Sequence, residues 1–236
     1  MNLVRSLLLL LFVLFYGCAS SQGLAIQPLH EVLGQEESRF FGGQSFAATA
    51  PPATIVHSPA LGLYFKPTGF LNRLFEWTDH DRTKALKWAS SVEPNPESRQ
   101  HGLVPQSSIK GDTFQELRAS ASRYGYDLLL IFDGAAAVDR YNNYKGPLLY
   151  WTIVGAYVAD GTHSEALCLI KGSVWDVKTG ALLFVEEAEG RAQTVGPAAY
   201  VEDDAVILDA KQHALAGLLQ KMEQRLPAPR GGRREP

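Results

Sequence analysis

The stretch GTHSE places a possible nucleophile beside a possible base. His163 stands next to Ser164, and these residue types form catalytic pairs in many hydrolases. Such a pair works only when its side chains face each other, whereas neighbours on a strand or turn point apart. We therefore expect a polar turn here and no catalytic pair. The glycine-rich motifs of hydrolase, dinucleotide and phosphate sites do not occur in the sequence.

Two acidic clusters could bind a metal ion or act as paired carboxylates. Asp79, His80 and Asp81 stand together in TDHD and offer oxygen and nitrogen ligands. Consecutive residues rarely converge on one ion, so we expect a solvated loop. Glu187 and Glu189 alternate in VEEAEG, and with no pocket indicated beside them we expect a solvent-facing strand side. We expect no catalytic residue, no metal and no cofactor.

The first cysteine follows a short apolar run at the start of the chain. Arg5 supplies a positive charge, and Leu7–Tyr16 follow without any charge. This run is too short for a membrane span, which needs about 20 residues. A positive start, an apolar run and a small residue, here Gly17, are typical of a secretory signal. Cys18 follows directly, and the arrangement resembles the lipobox of bacterial lipoproteins, whose cysteine takes a diacylglycerol and becomes the mature N-terminus.

A lipid on Cys18 would anchor the protein to a membrane. Each buried methylene contributes about 0.8 kcal/mol, so two or more acyl chains, palmitate among them, bind stably. Ala19 stands where aspartate resembles an inner-membrane retention signal in enteric bacteria, which favours the outer membrane with the domain facing the periplasm. Leu14 lies one place earlier than the lipobox leucine. The alternative is an ordinary signal peptide cut elsewhere, for instance after Ala19.

Composition narrows the choice of partners. The 236 residues carry a net charge of −3, so no basic field favours nucleic acid. Length and composition are typical of one globular domain, and no small-molecule substrate is indicated. With Cys18 acylated, Cys168 in EALCLIKG has no disulfide partner, and we expect a buried, inert thiol.

The chain divides into four segments. Residues 1–17 are the predicted signal peptide. Residues 18–53 are predicted to be a lipidated N-terminus and loose tether, because glycine and proline pairs interrupt its periodicity. Residues 54–226 form an α/β domain. The basic tail 227–236, PAPRGGRREP, is predicted to be disordered.

Several elements of the domain are indicated by local patterns. Ala60–Phe65 is a candidate strand. Thr113 and Glu116 have capping-box spacing and predict a helix that ends at Gly125. The apolar run Tyr126–Phe132 follows at once and predicts a buried strand.

The C-terminal part predicts a hairpin and a long helix. The runs EALCLIKGSVWDV and ALLFVEEAEGRAQ flank KTG, where Gly180 favours a positive φ. Ala205–Leu226 predicts a helix, and the acidic residues 202–204 complement its dipole. Together, these patterns predict an α+β fold, with a single mixed β-sheet, a C-terminal hairpin and helices packed on the sheet. The apolar stripe of the last helix comprises Leu215, Leu218, Leu219, Met222 and Leu226.

The segment Gly146–Ala159, GPLLYWTIVGAYVA, contains no charge and is too short to span a bilayer as a helix. It could be a strand that extends the sheet, a core-facing loop, or an exposed patch for a partner or a membrane surface. We favour a buried strand, which needs no further function. If the segment is exposed instead, its contact residues are Tyr150, Trp151, Ile153 and Tyr157.

The second half of the chain resembles a group of bacterial envelope lipoproteins. Gly125 and Asp127 lie where this group has Gly-Ala-Asp before a buried strand, and Asp176, Thr179 and Gly180 match its Asp-x-x-Thr-Gly turn. The group centres on the curli-secretion lipoprotein, and the TolB N-terminal domain and the lipoprotein activators of penicillin-binding proteins have similar folds. These motifs are turns, so the resemblance over about 113–226 implies a fold and an envelope location but no active site.

These patterns predict a non-catalytic, lipid-anchored envelope protein that binds or supports a periplasmic or outer-membrane partner. The resemblance implies an alternative, an oligomeric secretion or channel component. A hydrolase of cell-wall or lipid substrates is a third alternative, and the missing nucleophile motifs count against it.

Overall fold

Five strands form one mixed sheet in the structure, a computed structural model that describes residues 21–42, 59–69, 72–92, 101–109, 113–143 and 154–226. The predicted α+β class, with helices packed on a single sheet, is confirmed. The strands are Leu61–Phe65 (β1), Gly102–Leu103 (β2), Leu128–Asn142 (β3), Thr162–Asp176 (β4) and Leu182–Gly196 (β5). The helices are Gln27–Phe40 (α1), Asp79–Val92 (α2), Phe114–Arg123 (α3), Gly155–Val158 (α4) and Asp203–Arg225 (α5).

The sheet has the strand order β2-β1-β3-β4-β5. β1 pairs in parallel with β2 and β3, whereas β3, β4 and β5 are antiparallel and 15 residues long each. The predicted hairpin between β4 and β5 is confirmed. Gly180 has a φ of +74°, and Asp176 Oδ1 accepts hydrogen bonds from the N–H and the hydroxyl of Thr179. Gly125 has the positive φ, +77°, that the predicted end of α3 requires.

The larger core lies between one face of the sheet and the helices α2 and α5. The whole predicted apolar stripe of the last helix is buried there. Helix α5 lies so close to β5 that a Cβ at Gly190 would overlap the backbone of Ala210 and Ala214. Because Gly190 has no side chain, α5, the longest helix of the described residues, can pack this closely on the sheet.

Helix α2 begins with a capping box, which corrects the solvated loop predicted for TDHD. Thr78 Oγ1 accepts a hydrogen bond from Asp81 N–H at 3.3 Å, and Asp81 Oδ2 accepts one from Thr78 N–H at 2.9 Å. The Thr-x-x-Asp spacing is that of a capping box. The prediction of a loop treats the same residues as metal ligands and does not take this spacing into account. At α3, in contrast, Thr113 is the N-cap but makes no side-chain capping bond. The reciprocal bonds predicted there are absent.

Helix α1 corrects the prediction of a loose tether. Its side chains Leu29 and Leu33 pack on Ala135, Leu167 and Leu169, on the face of the sheet opposite α5. The helix is difficult to predict from the sequence, because one of its buried positions is an acidic residue and a glycine interrupts its apolar pattern. The domain boundary at residue 54 lies outside the described residues.

A buried charge cluster completes the contact between α1 and the sheet. Glu36 is buried and faces Lys66 Nζ at 3.7 Å, while Lys66 donates to Asp133 Oδ2 at 2.6 Å. Glu37, next along the helix, accepts a hydrogen bond from Lys171 at 2.6 Å. Burial raises the pKa of both Glu36 and Asp133, although Lys66 acts in the opposite direction. Lys66 thus interacts with two buried carboxyl groups at once.

Glu36→Gln should raise the melting temperature at pH 7. The folded-state pKa of Glu36 lies above the ordinary value of 4.5, so the carboxylate lowers stability at neutral pH. Wild-type stability recovers as the pH falls through that folded-state pKa. The advantage of Glu36→Gln should therefore shrink with acidification, as thermal denaturation at several pH values can show. Glu37→Gln is the matched control: it removes the negative charge that pairs with Lys171 and should not stabilise. Equal effects of the two substitutions would contradict the assignment.

The strand predicted for 146–159 is wrong where the structure describes this segment. The residues around Tyr157 form the short helix α4, and the Tyr157 side chain is 52% exposed. Tyr150, Trp151, Ile153 and Cys18 lie outside the described residues. No helix in the described part of the chain combines the length and apolar character of a membrane span.

Candidate interaction surface

The structure separates the two residues of GTHSE. His163 and Ser164 belong to β4, so the predicted polar turn is wrong, and as neighbours on a strand they point to opposite faces. His163 stacks on Tyr141 with ring centroids 5.0 Å apart. Ser164 is buried, and its hydroxyl donates to Asp203 Oδ1 at 2.6 Å. The histidine therefore does not contact the serine.

The acidic clusters are divided among separate basic partners. Within the residues that the structure describes, no three potential metal ligands converge. The pairs are Asp79 with Arg82 (2.9 Å), Asp81 with Lys211 (2.7 Å), Glu187 with His30 (3.6 Å) and Lys171 (3.8 Å), and Glu189 with Arg191 (3.8 Å). Glu187 and Glu189 thus lie next to different basic groups.

The thiol of Cys168 is buried, as the sequence predicts. Its Sγ lies 3.5 Å from the carbonyl oxygen of Ile207 in α5. Burial raises the pKa of the thiol to about 12, so the reactive thiolate does not form at neutral pH. Cys168 is a core residue.

A groove of about 510 Å³ lies between the end of β5 and the start of α5. Val195 and Val206 give it apolar walls, Tyr200 contributes its ring, and Glu202 and Asp209 supply acidic groups. Tyr200 is 66% exposed. A concave surface with an exposed aromatic ring and few charges is typical of a protein-binding site.

Arg140 fixes the loop that carries Tyr200. Its guanidinium donates to Ala198 O at 2.9 Å and to Val201 O at 3.3 Å, and it lies 3.5 Å from Asp203 Oδ2. The loop also closes on itself, because Tyr200 N–H donates to a carbonyl three residues earlier at 2.9 Å. Tyr200 is therefore exposed on a rigid loop. Sequence reasoning missed Arg140 and Tyr200, because the residues that meet here lie about sixty positions apart.

Exposed apolar side chains continue from the groove onto α4. The rings of Tyr157 and Tyr200 meet edge to face with centroids 5.9 Å apart. Val154 and Val158 flank Tyr157 and are 67% and 71% exposed. We call Val154, Tyr157 and Val158 the α4 cluster. It lies in the connection between β3 and β4, at the end of the sheet where β3 and β5 finish and β4 begins.

The N-terminal segment is bound to this same end of the sheet. Asp139, near the end of β3, accepts three hydrogen bonds on Oδ2: from Ser21 Oγ at 2.7 Å, from Gln22 N–H at 3.0 Å and from Gly23 N–H at 3.1 Å. The carboxylate thus holds the chain three to five residues after Cys18. We call this contact the Asp139 clasp.

Comparisons with known proteins find similarity only in structure. No family model matches the chain, and no curated protein does. PelC from Paraburkholderia phytofirmans, solved as a dodecamer, is 12% identical over 76% of this chain and 95% of that chain, with a TM-score of 0.35. The LpoB C-terminal domain from Salmonella enterica is 12% identical over 70% and 94%, with a TM-score of 0.31. Lipoprotein GNA1162 from Neisseria meningitidis is 13% identical over 71% and 98%, with a TM-score of 0.29.

Proposed function

We propose that the protein is a non-catalytic envelope lipoprotein, anchored through Cys18 to the outer membrane and facing the periplasm, whose domain binds an envelope protein. The observation that supports the binding role is the groove beside Tyr200. An aromatic side chain that is two-thirds exposed on a loop held by Arg140 loses little conformational entropy when a partner covers it.

The charges of the groove indicate what the partner carries. Glu202 and Asp209 line it, and the only basic group that faces either of them among the described residues is His213, 3.9 Å from Asp209 Oδ1. A partner segment with an apolar side chain beside Tyr200 and a lysine or arginine opposite these carboxylates would complement the groove. Such rim charges guide association and register more than they add affinity.

Cys18→Ala should release the protein from the membrane fraction or leave it as an uncleaved precursor. The reason is that the cysteine thiol is the site of lipid attachment in the proposed anchor. Cell fractionation and intact-mass measurement of the mature N-terminus test this expectation. Cys168→Ala is the matched control, because that buried thiol carries no lipid, and the variant should stay with the membrane. An unmodified mature N-terminus at any other residue would refute the anchor.

Photo-crosslinking in cells tests the groove. A photoreactive phenylalanine in place of Tyr200 should form a defined protein adduct, whereas the same residue at Tyr124, which is 51% exposed at the far end of α3, should not. Asp209→Lys should lower the yield of the adduct, because it reverses a groove charge without entering the core. An adduct that forms equally from both positions, or whose yield the charge reversal leaves unchanged, would contradict a specific partner at the groove.

A further inference from the structure

The Asp139 clasp restricts how far the domain can lie from its anchor. Ser21, the first described residue of this segment, is held by Asp139 and follows Cys18 by three positions. Three extended residues span at most about 11 Å. Without the clasp, free chain would continue to Leu24, whose side chain packs on the sheet, a reach of about 20 Å. A lipid on Cys18 therefore holds the end of the sheet that contains Asp139 next to the membrane surface.

The α4 cluster lies at this same end. Val154 and Val158 are the two most exposed large apolar side chains of the described residues, and Tyr157 lies between them. The whole of Gly146–Ala159, which includes the cluster, carries no charged residue. The transfer of valine side chains from water into hydrocarbon is favourable, and tyrosine favours the boundary between headgroups and acyl chains.

We propose that the α4 cluster contacts the lipid of the membrane that holds Cys18, and that the Asp139 clasp keeps it there. The inference rests on the lipid anchor of the proposed function. The space available favours lipid over a protein at this surface. About 11 Å of chain is no more than the diameter of one helix, about 10–12 Å, so a folded partner does not fit between the bilayer and the point at which Asp139 holds the chain. A protein partner can approach the neighbouring groove from the side.

The proposed contact between the α4 cluster and lipid is apolar. It strengthens the membrane binding of the lipid anchor and does not depend on anionic headgroups. Asp160 borders the cluster on one side, and acidic residues 202–204 begin α5 beyond Tyr200. With these negative charges nearby, binding should not increase with the anionic lipid content of the membrane. It should also be insensitive to salt, because apolar burial is not screened.

Fluorescence quenching by lipid tests the orientation. Tyr157→Cys, labelled with an environment-sensitive fluorophore in the full lipidated protein, is reconstituted into phosphatidylethanolamine–phosphatidylglycerol vesicles that contain a doxyl-labelled phospholipid. We expect quenching of several fold, unchanged by salt. Tyr124→Cys is the matched control: the exposure of Tyr124 is 51% against 52% for Tyr157, and it lies at the other end of β3, about 45 Å away. The buried Cys168 should not take the label.

The outcomes separate the anchor from the orientation. Protein that fails to float with vesicles refutes the anchor and, with it, the orientation. Protein that floats but is quenched equally little at both positions overturns the orientation alone. If, in addition, a photoreactive residue at Tyr157 forms a protein adduct in cells, the cluster binds a protein instead. Asp139→Ala should lower the quenching at position 157, because the free chain then extends to Leu24 and its reach doubles to about 20 Å. Unchanged quenching would overturn the role of the clasp.

Discussion

Lys211→Met should destabilise the protein by about 3–5 kcal/mol, because it leaves a buried carboxylate without its cation. Lys211 Nζ lies 2.7 Å from Asp81 Oδ2, and both side chains are almost inaccessible, at 4% and 0%. Lys211 also donates to the carbonyl oxygen of Glu76 at 2.7 Å. Methionine fills a volume similar to that of lysine, so the loss of stability reflects the missing charge more than a new cavity. Chemical denaturation monitored by circular dichroism measures the free energy of unfolding.

Two further variants identify the source of this loss. Lys87→Met changes an exposed lysine on α2 and should alter stability by less than about 0.5 kcal/mol. Asp81→Asn combined with Lys211→Met removes both charges, while the amide can still accept the capping bond from Thr78. This double variant should be more stable than Lys211→Met alone, because no unpaired charge stays buried. If the two substitutions are simply additive, the charged pair is not coupled as the structure indicates.

The same pair determines how stability depends on pH. Burial raises the pKa of Asp81, but the hydrogen bonds from Lys211 and Thr78 outweigh this effect, and the pKa lies below its ordinary value of 3.8. A lowered carboxyl pKa contributes stability that is complete above the unfolded value and is lost as the pH falls through the folded value. The pair therefore weakens as the pH falls below the ordinary carboxyl value. Glu36, with a raised pKa, acts in the opposite sense at milder pH.

Local patterns in the sequence were sufficient for the hairpin and for the last helix. Gly180 and Gly125 adopt a positive φ. Glycine favours this conformation because it has no Cβ, so the position can be predicted from the residues of the turn itself. The stripe of α5 repeats every three to four residues, and a repeating apolar pattern reports a buried face directly. In each case the feature that determines the structure lies within one turn or one helix.

The candidate surface could not be predicted in this way, because it depends on contacts between distant residues. Arg140 reaches a loop 58–61 positions away, and Asp139 binds a segment 116–118 positions away. Helix α1 escaped prediction for a related reason. Glu36 occupies a core-facing position because Lys66, far along the chain, faces it, so the apolar pattern of the helix is broken. A single sequence contains no trace of these pairings.

Gly190→Val should lower stability by about 3 kcal/mol or more, because the added side chain meets backbone that cannot rotate away. A Cβ at Gly190 would overlap Ala210 O and Ala214 N of α5, so relief requires the helix to move off the sheet. That movement would separate α5 from Cys168, the register partner of Gly190 on β4, and from the core beneath it. Thermal and chemical denaturation of the purified protein measure the loss.

Gly217→Ala is the matched control for Gly190, since both glycines lie where β5 and α5 meet. A Cβ at Gly217 would meet only Ala188 Cβ at 3.5 Å, an ordinary contact. Alanine in a helix interior is favoured over glycine by up to about 1 kcal/mol, so Gly217→Ala should raise the melting temperature. If Gly190→Val were tolerated as well as Gly217→Ala, then α5 would not be pressed against β5. The groove between them would then lack the rigid walls on which the proposed partner site depends.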